Sequence, residues 1–177
     1  MILIQNGRVL DPVTNTDQVM DVLLDESGIV KTGEHLEAEG ADVIDASGLV
    51  VAPGLMDAHV HFRDPGLTYK EDIFTGAAAA ARGGFTTVVC MANTKPTVDN
   101  VETLDLVQKK GEKALIHVLQ AAAISKGLKG EELTDMEALA EAGAAGFTDD
   151  GIPLMDEKLI VSAMEKAKEL GLPLAFH

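Results

Sequence analysis

The chain has 177 residues and a formal net charge of −15, from 14 Lys and Arg against 29 Asp and Glu. This acidic excess argues against a nucleic acid partner, because binding to phosphates requires a clustered basic face. The 46% of hydrophobic residues suffices for a folded core, and the single cysteine, Cys90, excludes an internal disulfide framework. The N-terminus MILIQNGRVL lacks a secretory leader pattern, and no apolar run approaches the roughly 20 residues of a membrane helix. These features predict a soluble protein of the cytoplasm.

Residues 1–52 consist of short β-like runs separated by turn residues. The first run, Ile2–Leu10, ends at Asp11-Pro12. The segment Asp25–Gly28 is typical of a hairpin loop, and Ala46–Gly48 of a second turn. We predict a small antiparallel sheet for this region, and a sheet this short rarely stands alone.

From residue 53 onward the pattern changes to strand, loop and helix, repeated about every 30 residues, which is the length of one β-α unit. The candidate strands are 55–59, 85–91, 114–120, 144–148 and 172–177. The helices between them carry start and stop signals. Thr134–Glu137 is a capping-box pattern with Thr134 as the cap, and Gly171 ends the last apolar stripe. Such alternation predicts a parallel sheet covered by helices.

Two α/β architectures fit this alternation. A five-stranded doubly wound sheet would be complete within residues 53–177. A (β/α)8 barrel requires about 250 residues, so this chain would hold its first half and be truncated in the fifth strand. The final residues, Leu-Ala-Phe-His, form an apolar strand with no following helix, which favours the truncated barrel.

The strongest chemical signal lies in residues 57–66, at the end of the first strand of this region. His59 and His61 are two residues apart, so in an extended chain both imidazoles point to the same side and could hold a zinc-type ion. Arg63 follows within reach and could bind a carboxylate through a bidentate contact. The alternative is a pair of histidines near a turn whose ring nitrogens form ordinary hydrogen bonds and bind no metal. Placement at the carboxyl end of a strand, where α/β proteins build their sites, favours the metal site.

Other candidate ligands follow later strands. Asp149 and Asp150 come at the end of the fourth strand, and His177 at the end of the fifth. In a barrel these strand ends share one mouth with the histidine pair, and a carboxylate there could bridge two ions. Asn93, after the second strand, could bind a substrate carboxylate or amide, although Asn and Asp also serve as ordinary turn residues. Three further residues carry no functional signal: His35, His117 and Cys90.

Three blocks of the sequence are informative in combination: Val51–Gly66, Gly83–Pro96 and Phe147–Gly151. Together they resemble the dihydroorotase family of the amidohydrolase superfamily, and the resemblance spans the whole chain. It implies a zinc-dependent (β/α)8 barrel beside a small β-sandwich. Residues 1–52 would be the N-terminal part of the sandwich, and residues 53–177 the first half of the barrel. It also implies the reversible cyclisation of N-carbamoyl-L-aspartate to L-dihydroorotate in pyrimidine biosynthesis.

For the metal site, the resemblance implies that His59 and His61 bind one zinc ion and that His177 helps to bind a second. Asp150 would be the carboxylate shared by the two ions, with Asp149 as the alternative. Hydantoinases and many dihydroorotases instead carry a carbamylated lysine on the fourth strand. This strand has no lysine, which matches a bacterial dihydroorotase subgroup and counts against a hydantoinase or an allantoinase.

For the substrate, the resemblance implies contacts from His61, Arg63 and Asn93. The family's general acid/base is an aspartate of the last barrel strand, so we expect no catalytic acid/base in this chain and no turnover by residues 1–177 alone.

The family also implies a homodimer and an association with aspartate transcarbamoylase. The alternative is a non-catalytic structural partner of aspartate transcarbamoylase, but such a protein would be expected to lose the metal ligands that are present here. A small α/β binding domain would not match in several separate blocks.

Overall fold

The computed structural model describes residues 1–176, and their contacts divide into two units, Met1–Pro53 and the residues from Gly54 onward. The strands of the first unit are β1 Ile2–Asp11, β2 Thr16–Asp25, β3 Gly28–Gly33, β4 Asp42–Asp45 and β5 Val50–Val51. They form one sheet in the order β3-β2-β1-β4, with β5 also pairing with β1. The predicted Asp25–Gly28 hairpin is present and joins β2 to the antiparallel β3.

The prediction of an antiparallel sheet is wrong for the last two strands of this unit. Both β4 and β5 run parallel to β1, so the turn at Ala46–Gly48 is not a hairpin. The backbone N–H of Ala46 donates to Gln5 O at 2.8 Å, and the chain then continues along β1 in the same direction. Next to this turn β1 contains a bulge in its pairing with β2, where Asn6 has a φ of 62°.

The second unit alternates strands and helices. Its strands are β6 Leu55–Val60, β7 Phe85–Cys90, β8 His117–Gln120, β9 Phe147–Thr148 and β10 Leu174–Ala175, and its helices are α1 Ile73–Arg82, α2 Val101–Gly111, α3 Met136–Glu141 and α4 Glu157–Leu170, with a 3-10 turn at Lys126–Leu128. The strands β6, β7 and β8 pair in parallel in that order, and β9 pairs in parallel with β10. A parallel bridge between Ala122 and Phe147 links the two groups. The strands thus follow chain order, as in a barrel, whereas a doubly wound sheet reverses its order at a switch point.

The helices of the second unit begin after polar side chains that cap them. The capping residues of α1 to α4 are, in turn, Asp72, Asn100, Asp135 and Asp156. The predicted cap Thr134 is wrong by one residue. Its hydroxyl donates to Ala123 O in the interior, and Asp135 accepts the N–H of Ala138 instead. Gly171 ends α4 with a φ of 66°, as predicted.

The core of the second unit lies between the sheet and the helices. Its buried apolar side chains include Ile73 and Ala77 of α1, Val88 and Cys90 of β7, Leu104 of α2, Leu139 of α3, Phe147 of β9 and Ala163 of α4. Burial raises the pKa of the Cys90 thiol to about 12, so the thiol stays protonated and unreactive at neutral pH. None of the helices within residues 1–176 combines the length and the hydropathy needed to cross a membrane.

An ion pair fixes the loop after β6 to helix α2. Lys110 Nζ donates to Asp64 Oδ1 at 2.7 Å, and the Asp64 side chain is only 3% exposed. Replacing Lys110 by alanine leaves this carboxylate buried without its partner, and we expect denaturant unfolding to show a loss of about 3 kcal/mol. Lys109→Ala is the matched control. Its partner Asp105 is exposed, so the loss should stay below about 0.5 kcal/mol, and equal losses in both variants would contradict this role of burial.

Candidate metal centre

Two histidines and one aspartate meet where strands β6 and β9 end. His59 lies in β6, His61 follows that strand directly, and Asp150 comes two residues after β9. The Nε2 atoms of His59 and His61 are 3.3 Å apart. Nε2 of His59 lies 3.4 Å from Asp150 Oδ1, and Nε2 of His61 lies 3.3 Å from Asp150 Oδ2. Side chains from two distant parts of the sequence thus place their ligand atoms around one point.

Strand β6 reaches this arrangement through a bulge. Its pairing with β7 advances three residues on β6, from Asp57 to Val60, against two on β7, from Val88 to Cys90. Inside the bulge, the N–H of His59 donates to Asp57 Oδ1 at 3.0 Å. Bulges of this kind re-aim side chains beside functional sites. Here the two imidazole rings lie edge to face, with 5.1 Å between their centroids.

The three side chains differ in their exposure to solvent. The Asp150 side chain is 8% exposed, that of His61 29% and that of His59 51%. A carboxylate buried this deeply is unfavourable unless cations or hydrogen bonds compensate it. The cluster therefore combines a buried negative charge with an open side at His59, through which water or a small ligand can enter.

The cluster fits a zinc-type ion in both chemistry and dimensions. Imidazole nitrogen and carboxylate oxygen are ligands of Zn²⁺, which binds them tetrahedrally at about 2.0–2.2 Å. Neighbouring ligands of such a tetrahedron lie about 3.3–3.5 Å apart, which matches the 3.3 Å between the two Nε2 atoms. Asp150 approaches the two histidines through different oxygens, Oδ1 at 3.4 Å from His59 and Oδ2 at 3.3 Å from His61. His59, His61 and Asp150 would therefore hold such an ion and leave a position for water or substrate.

The neighbouring Asp149 has a different environment. Its Oδ1 accepts the backbone N–H of Ile124 at 2.7 Å and that of Ser125 at 3.0 Å, and its Oδ2 accepts the Ser125 hydroxyl. These hydrogen bonds join the end of β9 to the loop after β8. The Asp149 carboxylate is thus used within the fold, and of the two aspartates it is Asp150 that faces the histidines.

Asn93, in the loop after β7, contacts two members of the cluster. Its Oδ1 lies 3.0 Å from His61 Nδ1, and its Nδ2 donates to Asp150 Oδ2 at 3.3 Å. The residue predicted to bind a substrate carboxylate therefore lies directly beside the candidate metal ligands. Any substrate that it held would be within reach of an ion bound there.

Arg63 lies in the loop after β6, where the backbone is constrained. Its φ of 58° places a non-glycine residue in the left-handed region, which is uncommon and concentrated at functional sites. The Lys95 N–H donates to Pro65 O at 3.0 Å, and a Cβ on Gly66 would lie 1.7 Å from Lys95 O, so glycine is required where this loop meets the Asn93 loop. Within residues 1–176 the half-buried Arg63 guanidinium makes no hydrogen bond or ion pair. A cation in this state favours an anionic ligand.

The sequence contains three other histidines. His177, predicted to bind a second ion, lies outside the described residues. His35 belongs to the first unit, and His117 begins β8, at the end of the strands opposite to the cluster. One residue of the neighbourhood was not predicted: Asp64, whose ion pair holds the Arg63 loop, because a single aspartate after an arginine carries no local pattern that indicates burial.

Comparison with known protein sequences gives one consistent family. The family model described as dihydro-orotase-like matches residues 48–177. A protein named dihydroorotase from Clostridioides difficile (strain 630) is 62% identical over 178 residues, and one from Streptococcus pneumoniae serotype 4 is 56% identical over 177. Each comparison covers 100% of this chain and 42% of the relative. The chain therefore spans less than half the length of these curated relatives.

Comparison with solved structures confirms the fold class. L-hydantoinase from Arthrobacter aurescens has a TM-score of 0.81 at 20% identity, covering 98% of this chain and 39% of its own. A D-hydantoinase has a TM-score of 0.77 at 28% identity, and the match covers 97% of this chain and 38% of the D-hydantoinase chain. A dihydroorotase has a TM-score of 0.68 at 17% identity, and the match covers 98% of this chain and 50% of the dihydroorotase chain. These enzymes are amidohydrolases built on α/β barrels, and the described strands form part of such a barrel.

Proposed function

This chain belongs to the dihydro-orotase-like family, and from that premise we propose that the whole protein is a zinc-dependent dihydroorotase. The whole protein here means this chain within a polypeptide of its relatives' length. Its reaction is the reversible cyclisation of N-carbamoyl-L-aspartate to L-dihydroorotate in pyrimidine biosynthesis. The observation that carries the proposal is the convergence of His59 Nε2, His61 Nε2 and the Asp150 carboxylate at the strand ends.

Opening or closing a cyclic amide at neutral pH requires a strong nucleophile and a polarised carbonyl. A bound zinc ion supplies both, since it lowers the pKa of water from about 15.7 to about 7 and draws electron density from a carbonyl oxygen. His59 and His61 would hold this ion with neutral nitrogen ligands. Asp150 would contribute a buried negative charge that balances it. His177 would be a ligand of a second ion.

Arg63 and Asn93 orient the substrate in this proposal. The planar guanidinium of Arg63 matches a carboxylate in a bidentate contact. The Asn93 amide nitrogen, which lies 3.3 Å from Asp150 Oδ2 and 3.4 Å from the Asp150 backbone oxygen, would donate a hydrogen to the same substrate carboxylate. Fixing the carboxylate sets the distance and angle of the reacting carbonyl, which lowers the entropic part of the barrier. The general acid/base is an aspartate contributed from outside residues 1–177.

The same proposal extends to the assembly of the enzyme. We infer a cytoplasmic homodimer with two zinc ions per subunit, in which residues 1–52 form part of a β-sandwich and residues 53–177 the first half of the barrel. Association with aspartate transcarbamoylase stays a prediction. A non-catalytic role as its structural partner is not favoured, because the candidate metal ligands are all present within the cluster and Asn93 contacts two of them.

Turnover by the purified whole protein tests this function. We expect hydrolysis of L-dihydroorotate, and its formation from N-carbamoyl-L-aspartate, when both compounds are separated by chromatography. Hydantoin should not react, because it offers no carboxylate to Arg63. Removing the metal with a chelator should abolish turnover, and Zn²⁺ should restore it. A protein that opens hydantoin but not L-dihydroorotate would contradict the proposed substrate.

A further inference from the structure

The amide of Asn93 constrains the protonation of His61. Asn93 Oδ1 lies 3.0 Å from His61 Nδ1, while Asn93 Nδ2 lies 3.3 Å from Asp150 Oδ2 and 3.4 Å from the Asp150 backbone oxygen. The loop after β7 is thereby joined to ligands that come from β6 and from the end of β9. The contact pattern is asymmetric, with the amide oxygen on one ligand and the amide nitrogen on the other.

The orientation of this amide follows from its partners on Asp150. A backbone carbonyl and a carboxylate only accept hydrogen bonds, so the NH2 group of Asn93 must face them. The amide oxygen, which also only accepts, then faces His61 Nδ1. Nδ1 therefore carries a hydrogen, and in a neutral imidazole the lone pair lies on Nε2.

The lone pair of His61 Nε2 is directed into the cluster. The His61 Nε2 atom lies 3.3 Å from His59 Nε2 and 3.3 Å from Asp150 Oδ2, and this carboxylate oxygen is itself an acceptor. A cation between these nitrogen and oxygen atoms would be coordinated by their lone pairs. We infer that Asn93 is a positioning residue for the metal centre, holding His61 in the Nδ1–H tautomer so that Nε2 is free to bind the ion. This inference rests on the proposed metal-dependent function.

Metal-bound histidines usually donate their second N–H to a carboxylate, a backbone carbonyl or water. In this chain a side-chain amide takes that place, and its neutrality matters. An aspartate at position 93 would accept from His61 equally well, but it would set a second carboxylate about 3.3 Å from that of Asp150, and like charges at this distance repel. An asparagine supplies the acceptor for one ligand and a donor for the other.

The backbone around Asn93 is fixed without help from a metal. Ala92 is fully buried, and its carbonyl oxygen accepts the N–H of Thr94 at 2.9 Å and that of Val98 at 3.1 Å. The N–H of Met91 donates to Val60 O at 2.9 Å, which ties the loop to the end of β6. Asn93 is therefore presented to His61 by a rigid turn, as a positioning residue requires.

Zinc affinity of the whole protein tests this role. Asn93→Leu keeps the approximate size of the side chain and removes both hydrogen-bonding atoms, and we expect zinc to bind about 10–100-fold more weakly in competition with a chromophoric chelator. Thr94→Val is the matched control, because the Thr94 hydroxyl donates to Pro96 O and not to the cluster. Its zinc affinity should equal that of the wild type. An Asn93→Leu variant with zinc affinity within about threefold of the wild type would overturn the inference.

Nitrogen NMR of the histidine rings provides a readout that is independent of catalysis. In metal-free protein, the neutral form of His61 should be the Nδ1–H tautomer in the wild type and in Thr94→Val. Asn93→Leu should give a mixture of tautomers, with the His61 signals identified by their loss in His61→Ala. An Nε2–H tautomer in the wild type would overturn the inference. If zinc binding weakens as expected but L-dihydroorotate is not turned over, the proposed substrate fails and the role of Asn93 stands.

Discussion

The His61→Ala variant of the whole protein is expected to lose its zinc and at least about 10³-fold of its turnover. The substitution removes the ligand atom that lies 3.3 Å from both His59 Nε2 and Asp150 Oδ2. Stabilisation of the transition state by a metal ion is worth several kcal/mol, and each ~1.36 kcal/mol corresponds to a factor of ten in rate. The measurement is zinc content by atomic emission together with turnover of saturating L-dihydroorotate.

Two further variants make this test specific to the cluster. His59→Ala removes the second Nε2 atom and should lose zinc and turnover in the same way. His117→Ala changes a histidine at the opposite end of the strands and should keep both at the wild-type level. Wild-type zinc content in both His59→Ala and His61→Ala would show that these residues are not the ligands.

The Arg63→Lys variant should bind L-dihydroorotate about 10–100-fold more weakly, measured as KM, while its zinc content stays unchanged. Lysine keeps the positive charge but loses the planar fork that binds both oxygens of a carboxylate. The loss of one charge-assisted hydrogen bond, worth about 1.5–3 kcal/mol, gives this magnitude. The constrained Arg63 loop supports the effect, because its left-handed φ and its contacts with the Asn93 loop hold position 63 in place.

The control for this variant is Arg82→Lys. Arg82 is an exposed residue in the last turn of α1 and makes no contribution to the cluster. Its KM and zinc content should match the wild type. An Arg63→Lys variant with an unchanged KM would contradict the substrate contact, and one that lost zinc would show that the substitution disturbs the metal centre and not the substrate contact alone.

The strands of the second unit could be predicted because the β-α pattern repeats regularly. The features that could not be predicted depend on contacts between residues far apart in the sequence. The strands of this unit lie close to their predicted positions because apolar runs and turn residues recur with the length of a β-α unit. The turn at Ala46–Gly48 carries the same signals whether the next strand turns back or continues along β1. The pairing is decided by hydrogen bonds to a strand about 40 residues away. Likewise Thr134 and Asp135 are both good caps, and the choice depends on the buried Ala123 carbonyl.

In the candidate site, too, some features could be predicted from local sequence patterns and others depend on contacts between distant residues. The pair His59 and His61 and an aspartate after the fourth strand could be predicted, because strand ends of a barrel share one mouth. The sequence left Asp149 and Asp150 as alternatives, and hydrogen bonds from the loop after β8 separate their environments. The bond between Asn93 and His61 joins residues 32 positions apart, and no local pattern indicates it.

A metal-edge anomalous difference map from crystals of the whole protein tests the metal centre most directly. We predict a zinc peak about 2.0–2.1 Å from His59 Nε2 and from His61 Nε2, with an Asp150 oxygen about 2.0–2.2 Å away. A zinc ion bound elsewhere in catalytically active crystals, with no peak between these three side chains, would contradict the assignment of the cluster as the catalytic metal site.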